Sequence, residues 1–268
     1  MSEKKKVEGS RFLRESKPAL KHLLGILLRK YGYASILAVD SEAKIYSVAA
    51  SGINIGDFGM LCNRGFVIKV YNEGEYAEYS FNKLERDVTE QAQQIIEQIE
   101  ALKKAVPDKL ERIKLGMLED KPLKFSKSTE YEINPFETGA QNIIDKLTAL
   151  RKKGLEADER MLDCTARMSC QKYSKLFLSE NKDMEQNVLW TDCAMSFLAR
   201  RGNEVKSYFS SASNLGGSEI LESLEADIPH SVEMTVALLD SEPMVPGEYD
   251  CICTPEVTGM IVHEAFGH

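Results

Sequence analysis

Two histidines and a glutamate lie within the last six residues of the chain, in the stretch IVHEAFGH. His263 and Glu264 are adjacent, and His268 follows five residues after His263. Neutral imidazoles are common zinc ligands, and a neighbouring carboxylate can act as a general base in hydrolysis. The stretch therefore predicts the metal site of a hydrolytic enzyme. The alternative is a core helix that carries two incidental histidines.

The spacing of these histidines differs from the familiar H-E-x-x-H zinc motif, in which the two ligands lie four residues apart on one helix face. Five residues at about 100° each separate the two side chains by roughly 140° on a regular helix. Shared ligation by His263 and His268 therefore requires a π-type turn or a local break. Gly267, just before the second histidine, permits such a break.

A short strand followed by a helix is predicted to hold the three residues. In EYDCICTP, Cys251 and Cys253 fall on one face of a strand. Thr254 then fits an N-cap and Pro255 the first position of a helix that runs to the end of the chain. Thiols two residues apart can ligate a metal, but free cysteine more often belongs to a core, which is the favoured interpretation here.

Upstream, helical and strand-like segments alternate. SKPALKHLLGILLRKY has apolar residues at helical spacing, with Ser16 as the expected cap and Pro18 in the first turn. Short strands with turn signals between them are predicted over residues 34–81, and a helix over residues 87–106. This order is typical of an α+β module.

The second half repeats that order, with a helix, four strand-like segments between residues 158 and 210, and a long helix that Pro229 is expected to kink or divide. We predict an α+β fold of antiparallel meander sheets flanked by helices, as two similar modules in tandem, truncated in the metal-site helix. The predicted divisions are an N-terminal module (1–106), a linker or surface excursion (107–135) and a second module ending in the H-E-x-x-x-H helix (136–268).

The stretch SSASNLGGS, which leads into the long helix, is rich in small residues. Its Gly216-Gly217 pair could let a ligand approach the backbone closely, although it lacks the spacing of a phosphate-binding loop. A flexible connection is the favoured interpretation.

Composition excludes several classes of protein. The net charge of -8 argues against a nucleic-acid partner. The longest apolar run, from Leu23 to Leu28, is far shorter than the roughly 20 residues that a membrane-spanning helix needs. Six cysteines without a CxxC pair, and the absence of a secretory signal pattern, predict a cytoplasmic protein.

The stretch HEAFGH, preceded by a predicted strand and an apolar helical turn, resembles the H-E-x-x-x-H signature of the TldD/PmbA family of metallopeptidases, in its TldD-type member. The upstream layout, including the meander SILAVDSEAKIYSVAASGINIGDFGMLCNRGFVIKVY, is similar to the N-terminal half of that family. The resemblance implies Zn²⁺ held by His263 and His268, with Glu264 as the catalytic base. It also implies a longer parent protein, since the family's third ligand is a cysteine in its C-terminal half.

The same resemblance implies a zinc-dependent metallopeptidase that hydrolyses peptide bonds in unfolded or short peptides or in the leader peptides of precursors. It implies a homodimer, or a heterodimer with a PmbA-like subunit, and an inactive fragment without the third ligand. The alternatives are a non-catalytic peptide-binding or assembly subunit of such a complex, and a gyrase-associated or nucleic-acid regulator, which the acidic charge disfavours.

Overall fold

One large, mostly antiparallel sheet organises the computed structural model, which describes residues 4–57, 59, 62–105 and 114–268. The strands are β1 (Lys5–Lys6), β2 (Tyr33–Ala49), β3 (Gly52–Asp57), β4 (Arg64–Asn72), β5 (Glu75–Phe81), β6 (Leu123–Ser128), β7 (Glu130–Tyr131), β8 (Met161–Ser179), β9 (Lys182–Arg201) and β10 (Glu204–Leu215). The large sheet has the order β10-β9-β8-β2-β4-β5, with β3 added to β2 and β6 added in parallel to β9. Strands β1 and β7 form a separate antiparallel pair.

Helices flank this sheet. They are α1 (Arg11–Leu28), α2 (Val88–Ala105), α3 (Ala140–Glu156), α4 (Leu221–Ala237) and α5 (Pro255–Val262). The prediction of an α+β fold with antiparallel sheets and flanking helices is confirmed. Among the described helices, none is long and apolar enough to cross a membrane.

The strands are longer than the sequence pattern predicted. The four segments expected between residues 158 and 210 are three strands, β8 to β10, and the first two segments expected after residue 33 are joined in β2. Strand β8 buries alternate residues, including Cys164, Ala166 and Met168, so its side chains keep the period of two that a half-covered sheet requires. Turn-forming polar residues inside β2 and β8 made single strands resemble two short ones.

Two apolar clusters hold the helices to the sheet. In the first, α1 and α2 pack on β2 and β4; in the second, α3 and α4 pack on β8 and β9. Strand β2 contributes Ile36 and Ala38 to the first cluster and Tyr46 and Val48 to the second. Because these residues all have even numbers in one strand, the four helices lie on the same face of the sheet.

Two details of the helices differ from prediction. Helix α1 begins at Arg11, and Ser10 caps it, since its Oγ accepts a hydrogen bond from the Leu13 N–H at 3.2 Å. Ser16 is instead a buried residue within the helix, so its predicted capping role is wrong. Helix α4 runs from Leu221 to Ala237 through Pro229, so this proline does not divide it.

The sheet is continuous between the two predicted modules, because β2 pairs with β8 over residues 35–48. Of the predicted linker (107–135), residues 107–113 lie outside the described residues, as does residue 106 of the predicted helix. The remaining part of the linker contains β6 and β7, which pair with β9 and β1. The division into 1–106, 107–135 and 136–268 stays a prediction.

Candidate metal centre

The residues that could bind a metal lie beyond the packed part of the chain. Arg201, at the end of β9, donates hydrogen bonds to the Asp240 carboxylate and to the Leu239 carbonyl oxygen, which fixes the turn after α4. Every residue from 241 to 268 is exposed, and the structure describes all of them. We call residues 241–268 the C-terminal segment, and residues 4–240 the body.

Within this segment, α5 begins where the Thr-Pro-Glu sequence predicted. Thr254 occupies the N-cap position and Pro255 the first helical position, although the Thr254 side chain makes no capping bond to the backbone. The Glu256 carboxylate accepts hydrogen bonds from its own backbone N–H and from the Thr254 hydroxyl, and these lower the pKa of Glu256. An anionic side chain in the first turn also favours the helix through its dipole.

The helix changes its register at the histidines. Residues Pro255 to Val262 are α-helical, and His263 to Gly267 form a π turn. A π turn contains more residues than an α turn, so a side chain five positions away returns to the same face. The π turn therefore meets the condition that the spacing of His263 and His268 set for shared ligation.

The two imidazoles consequently lie in contact. Their Nε2 atoms are 3.0 Å apart, the ring centroids are 4.6 Å apart, and the ring planes are nearly perpendicular at 88°. This geometry fits a hydrogen bond in which one Nε2–H donates to the other Nε2. Each nitrogen that binds Zn²⁺ lies about 2.0–2.1 Å from the ion, so two such atoms are at most about 4.2 Å apart. The separation of His263 and His268 is therefore compatible with one shared ion.

The described residues do not form a complete metal site. Among them, no group of three or more His, Cys, Asp or Glu side chains is placed to hold a metal ion. Catalytic zinc has three protein ligands as a rule, and His263 and His268 supply two. Glu264 follows His263 directly in the π turn and is exposed.

The two nearby cysteines do not complete the site. The prediction of a strand in EYDCICTP is wrong. Residues 247–254 have no regular secondary structure, and none of the described strands pairs with them. Cys251 and Cys253 are both exposed, so the interpretation of this pair as core residues is wrong as well. The Cys251 thiol donates a weak hydrogen bond to the carbonyl oxygen of Tyr249 at 3.7 Å.

The other two histidines, His22 and His230, are surface residues. His22 is exposed on α1 and its Nε2 lies 3.2 Å from the Thr89 hydroxyl of α2. His230 is exposed on α4 and meets the edge of the Tyr208 ring. Neither contacts the histidine pair of the C-terminal segment.

The Gly216-Gly217 pair is neither a flexible connection nor an open binding loop. A β-carbon on Gly217 would lie 1.8 Å from the Ile133 carbonyl oxygen, so only glycine fits this close approach. The Glu219 carboxylate accepts hydrogen bonds from the N–H groups of Gly217, Ile133 and Glu132, at 2.8, 3.0 and 3.2 Å. Sequence reasoning missed this clamp, for which the only signal was an acidic residue two positions after the glycines.

Comparison with known proteins gives one partial sequence match. No family model matches the chain. A protein of Methanothermobacter thermautotrophicus named a metalloprotease is 34% identical over 76 residues, which are 28% of this chain and 17% of that protein.

Solved structures match over more of the chain. A candidate modulator of a DNA gyrase from Thermotoga maritima has a TM-score of 0.65 at 14% identity, covering 86% of this chain and 50% of that one. A second, from Bacteroides thetaiotaomicron, has a TM-score of 0.58 at 16% identity, covering 83% and 49%. TldE from Thermococcus kodakarensis has a TM-score of 0.57 at 17% identity, covering 83% and 47%.

The chain thus spans about half the length of the solved structures that it matches. Identities this low show a common fold and nothing finer. The chain has the α+β fold, with antiparallel strands flanked by helices, of TldE and of these two proteins.

Proposed function

We propose that this chain is the N-terminal part of a TldD-type zinc metallopeptidase, which hydrolyses peptide bonds in unfolded or short peptides or in the leader peptides of precursors. The observation that carries the proposal is the π turn, which holds the Nε2 atoms of His263 and His268 3.0 Å apart beside Glu264. The partial match to a protein named a metalloprotease and the fold shared with TldE support it.

In this proposal, His263 and His268 hold the metal through Nε2. Both imidazoles must then be neutral, with their proton on Nδ1, so the Nε2–H···Nε2 hydrogen bond gives way to ligation. When bound, Zn²⁺ lowers the pKa of water toward neutrality and polarises the scissile carbonyl. Glu264 accepts the proton of the attacking water and can return it to the leaving amine. The third ligand comes from outside the described residues.

We further propose a cytoplasmic protein that acts on peptides as a homodimer or together with a PmbA-like subunit. Supporting this, the C-terminal segment exposes large apolar side chains, with Ile252 fully exposed and Phe266 84% exposed. Large apolar side chains that are left exposed in this number are often covered by a protein–protein contact. The net charge of -8 supports a partner other than nucleic acid.

The test is the zinc content and peptide cleavage of the full-length protein and its variants. We expect one zinc per chain and cleavage of a short unstructured peptide by the unmodified protein. Glu264→Gln should keep the zinc and lose about 10²- to 10⁴-fold in rate, the usual contribution of a general base. His263→Ala should lose the zinc, whereas His22→Ala, a matched change at an exposed histidine, should change neither property.

A full-length protein that binds no zinc and cleaves no peptide would overturn the proposal. The non-catalytic peptide-binding or assembly subunit would then be the better description. Zinc binding that survives His263→Ala would instead show that the metal lies elsewhere.

A further inference from the structure

Strand β10 lies at one end of the large sheet, and none of the described strands pairs with its outer edge. The strand has 12 residues, Glu204–Leu215, and pairs with β9 along its whole length. From residue 207 to residue 215 it reads SYFSSASNL, with no charged residue and no proline. Proteins usually protect an exposed edge with charges, prolines or a short strand, because an open edge can pair with a strand of another chain.

The connection to β9 determines which backbone groups of β10 point outward. Arg201 pairs with Glu204 across a two-residue turn that contains Gly202, whose φ is 59°. The residues that close such a turn are hydrogen-bonded to each other, and bonded and non-bonded pairs then alternate along the ladder. At the far end, the Gly216 N–H donates to the Leu189 carbonyl oxygen at 3.0 Å, so even-numbered residues bond to β9. The backbone groups that face outward therefore belong to Val205, Ser207, Phe209, Ser211 and Ser213.

The other end of the sheet is protected. Strand β5 has seven residues, and two of them, Glu75 and Glu78, carry a charge. A passing stretch of chain is also tied to the turn before this strand, since the Leu115 N–H donates to the Gly74 carbonyl oxygen at 2.8 Å. Of the two ends of the described sheet, β10 is the one without such protection.

We propose that β10 pairs in antiparallel fashion with β10 of a second copy of this chain, which joins two sheets across a two-fold axis. Such an axis presents the same edge of both strands to each other, so outward N–H groups of each copy meet outward carbonyl groups of the other. Like charges opposite each other would destabilise the pair. Glu204 and Lys206 are the only charged residues of β10, and antiparallel pairing places them at opposite ends of the interface from their copies.

The side chains of β10 fit the same occupant. Phe209 is exposed on the face of the sheet opposite the helices, and so are Val205 and Leu215 near the two ends of the strand. Pairing with a second β10 places a neighbouring strand beside these apolar side chains, and cross-strand contacts between them stabilise the pair. The inference rests on the proposed homodimer and is independent of the proposed metal centre.

Two measurements on the 268-residue chain test the proposal. Sedimentation equilibrium gives the dissociation constant of the dimer, and hydrogen exchange of single amides reports the state of the edge. We expect a dimer in which the amides of Phe209, Ser211 and Ser213 are protected from exchange. These amides should lose their protection on dilution to the monomer, whereas the even-numbered amides of β10 should keep theirs.

Substitutions of Ser211 separate the backbone from the side chain. Ser211→Pro removes an outward N–H and spares the bonds to β9, since an edge strand tolerates proline where the N–H faces outward. It should weaken dimerisation at least about ten-fold, because each copy loses one hydrogen bond. Ser211→Ala, the matched control, keeps the N–H and should dimerise like the unmodified chain. Ser211→Lys also keeps the N–H but adds like charges to both strands, so it should weaken the dimer more at low salt than at high salt.

A dimer that resists both Ser211→Pro and Ser211→Lys would overturn the inference and leave the homodimer standing on another surface. A chain that stays monomeric would overturn the inference and the homodimer together, whereas zinc content and peptide cleavage would still decide the proposed metallopeptidase. A monomer whose odd-numbered amides in β10 become protected only when an extended peptide is added would also overturn it, because the edge would then bind a peptide.

Discussion

The body and the C-terminal segment use apolar residues in opposite ways. In the body, apolar side chains follow the period of their strands and helices and are buried in two clusters against one face of the sheet. In the segment, Met260, Ile261 and Val262 are apolar on consecutive positions of a helix, and each is at least half exposed. A helix that is apolar on all sides is typical of a buried helix.

Because of this difference, the residues that stabilise the fold and the candidate metal ligands lie in different regions of the chain. The free energy of folding resides in the body, where burial of apolar area stabilises the chain. The candidate ligands His263 and His268, with Glu264, lie on an element that buries none of its residues. Changes in the segment should therefore alter the proposed metal binding without unfolding the protein, and changes in the body should lower its stability without altering that binding.

Thiol labelling should give the largest contrast between the two regions. Cys164, Cys170 and Cys193 are buried in the body, and burial raises their pKa values to about 12, 12 and 11. They should react only when the body unfolds, which slows labelling at least about 10³-fold relative to the exposed Cys251 and Cys253. Labelling with an aromatic disulfide at pH 8, mapped by mass spectrometry, measures this ratio. Equal labelling rates at Cys193 and Cys251 would contradict the burial of Cys193 in the body.

A matched pair of isoleucines, one in each region, gives the next largest contrast, which is in the free energy of unfolding. Ile36 is fully buried in β2, whereas Ile261 is 52% exposed in α5. Ile36→Ala should lower the free energy of unfolding by about 2–5 kcal/mol, because it leaves a cavity in the first apolar cluster. Ile261→Ala should change it by no more than about 0.5 kcal/mol. Urea denaturation measures both, and a loss of several kcal/mol for Ile261→Ala would show that α5 is packed in solution.

Much of the body could be predicted from the sequence because its signals are local. The periods of α1 and β8 reflect one buried face each, and the α+β fold follows from their order. The ends of elements were harder to predict, since Ser10 and Ser16 are both plausible caps and only packing of the helix decides between them. The pairing of β2 with β8 depends on contacts between residues more than a hundred positions apart, for which the sequence offers no local signal.

For the candidate site, the sequence stated a geometric condition that could be checked, whereas the roles of His263, Glu264 and His268 stay a prediction. Spacing alone indicated that His263 and His268 need a π-type turn or a break in order to bind the same metal ion. A π turn is present. The strand before α5 failed as a prediction because alternation indicates a strand only where another strand pairs with it. The close approach of Gly217 to Ile133 could not be predicted, since it joins two loops that are distant in sequence.

Two carboxylates with lowered pKa values give the smallest expected contrast between the body and the C-terminal segment, which is a contrast in how the free energy of unfolding depends on pH. Asp158, in the body, accepts hydrogen bonds from the side chain and the backbone N–H of Arg160, which lower its pKa from 3.8 to about 2. Glu256, in the segment, has a pKa lowered by its own backbone N–H and by the Thr254 hydroxyl. A depressed pKa stabilises the fold above the pKa of the unfolded chain, and for Asp158 this contribution falls to about half by pH 3.

The Asp158–Arg160 pair is partly exposed, with 23% of the Asp158 side chain accessible, so solvent screening limits its contribution to less than about 1 kcal/mol. Asp158→Asn should therefore lower the free energy of unfolding slightly at pH 6, and the difference from the unmodified chain should shrink as the pH falls from 4 toward 2. Glu256→Gln should leave global unfolding unchanged at every pH, because ionisation in the segment is not coupled to packing of the body. Urea unfolding at pH 6 and pH 3 measures both variants. A pH-dependent loss in Glu256→Gln matching that in Asp158→Asn would mean that α5 unfolds with the body, as one cooperative unit.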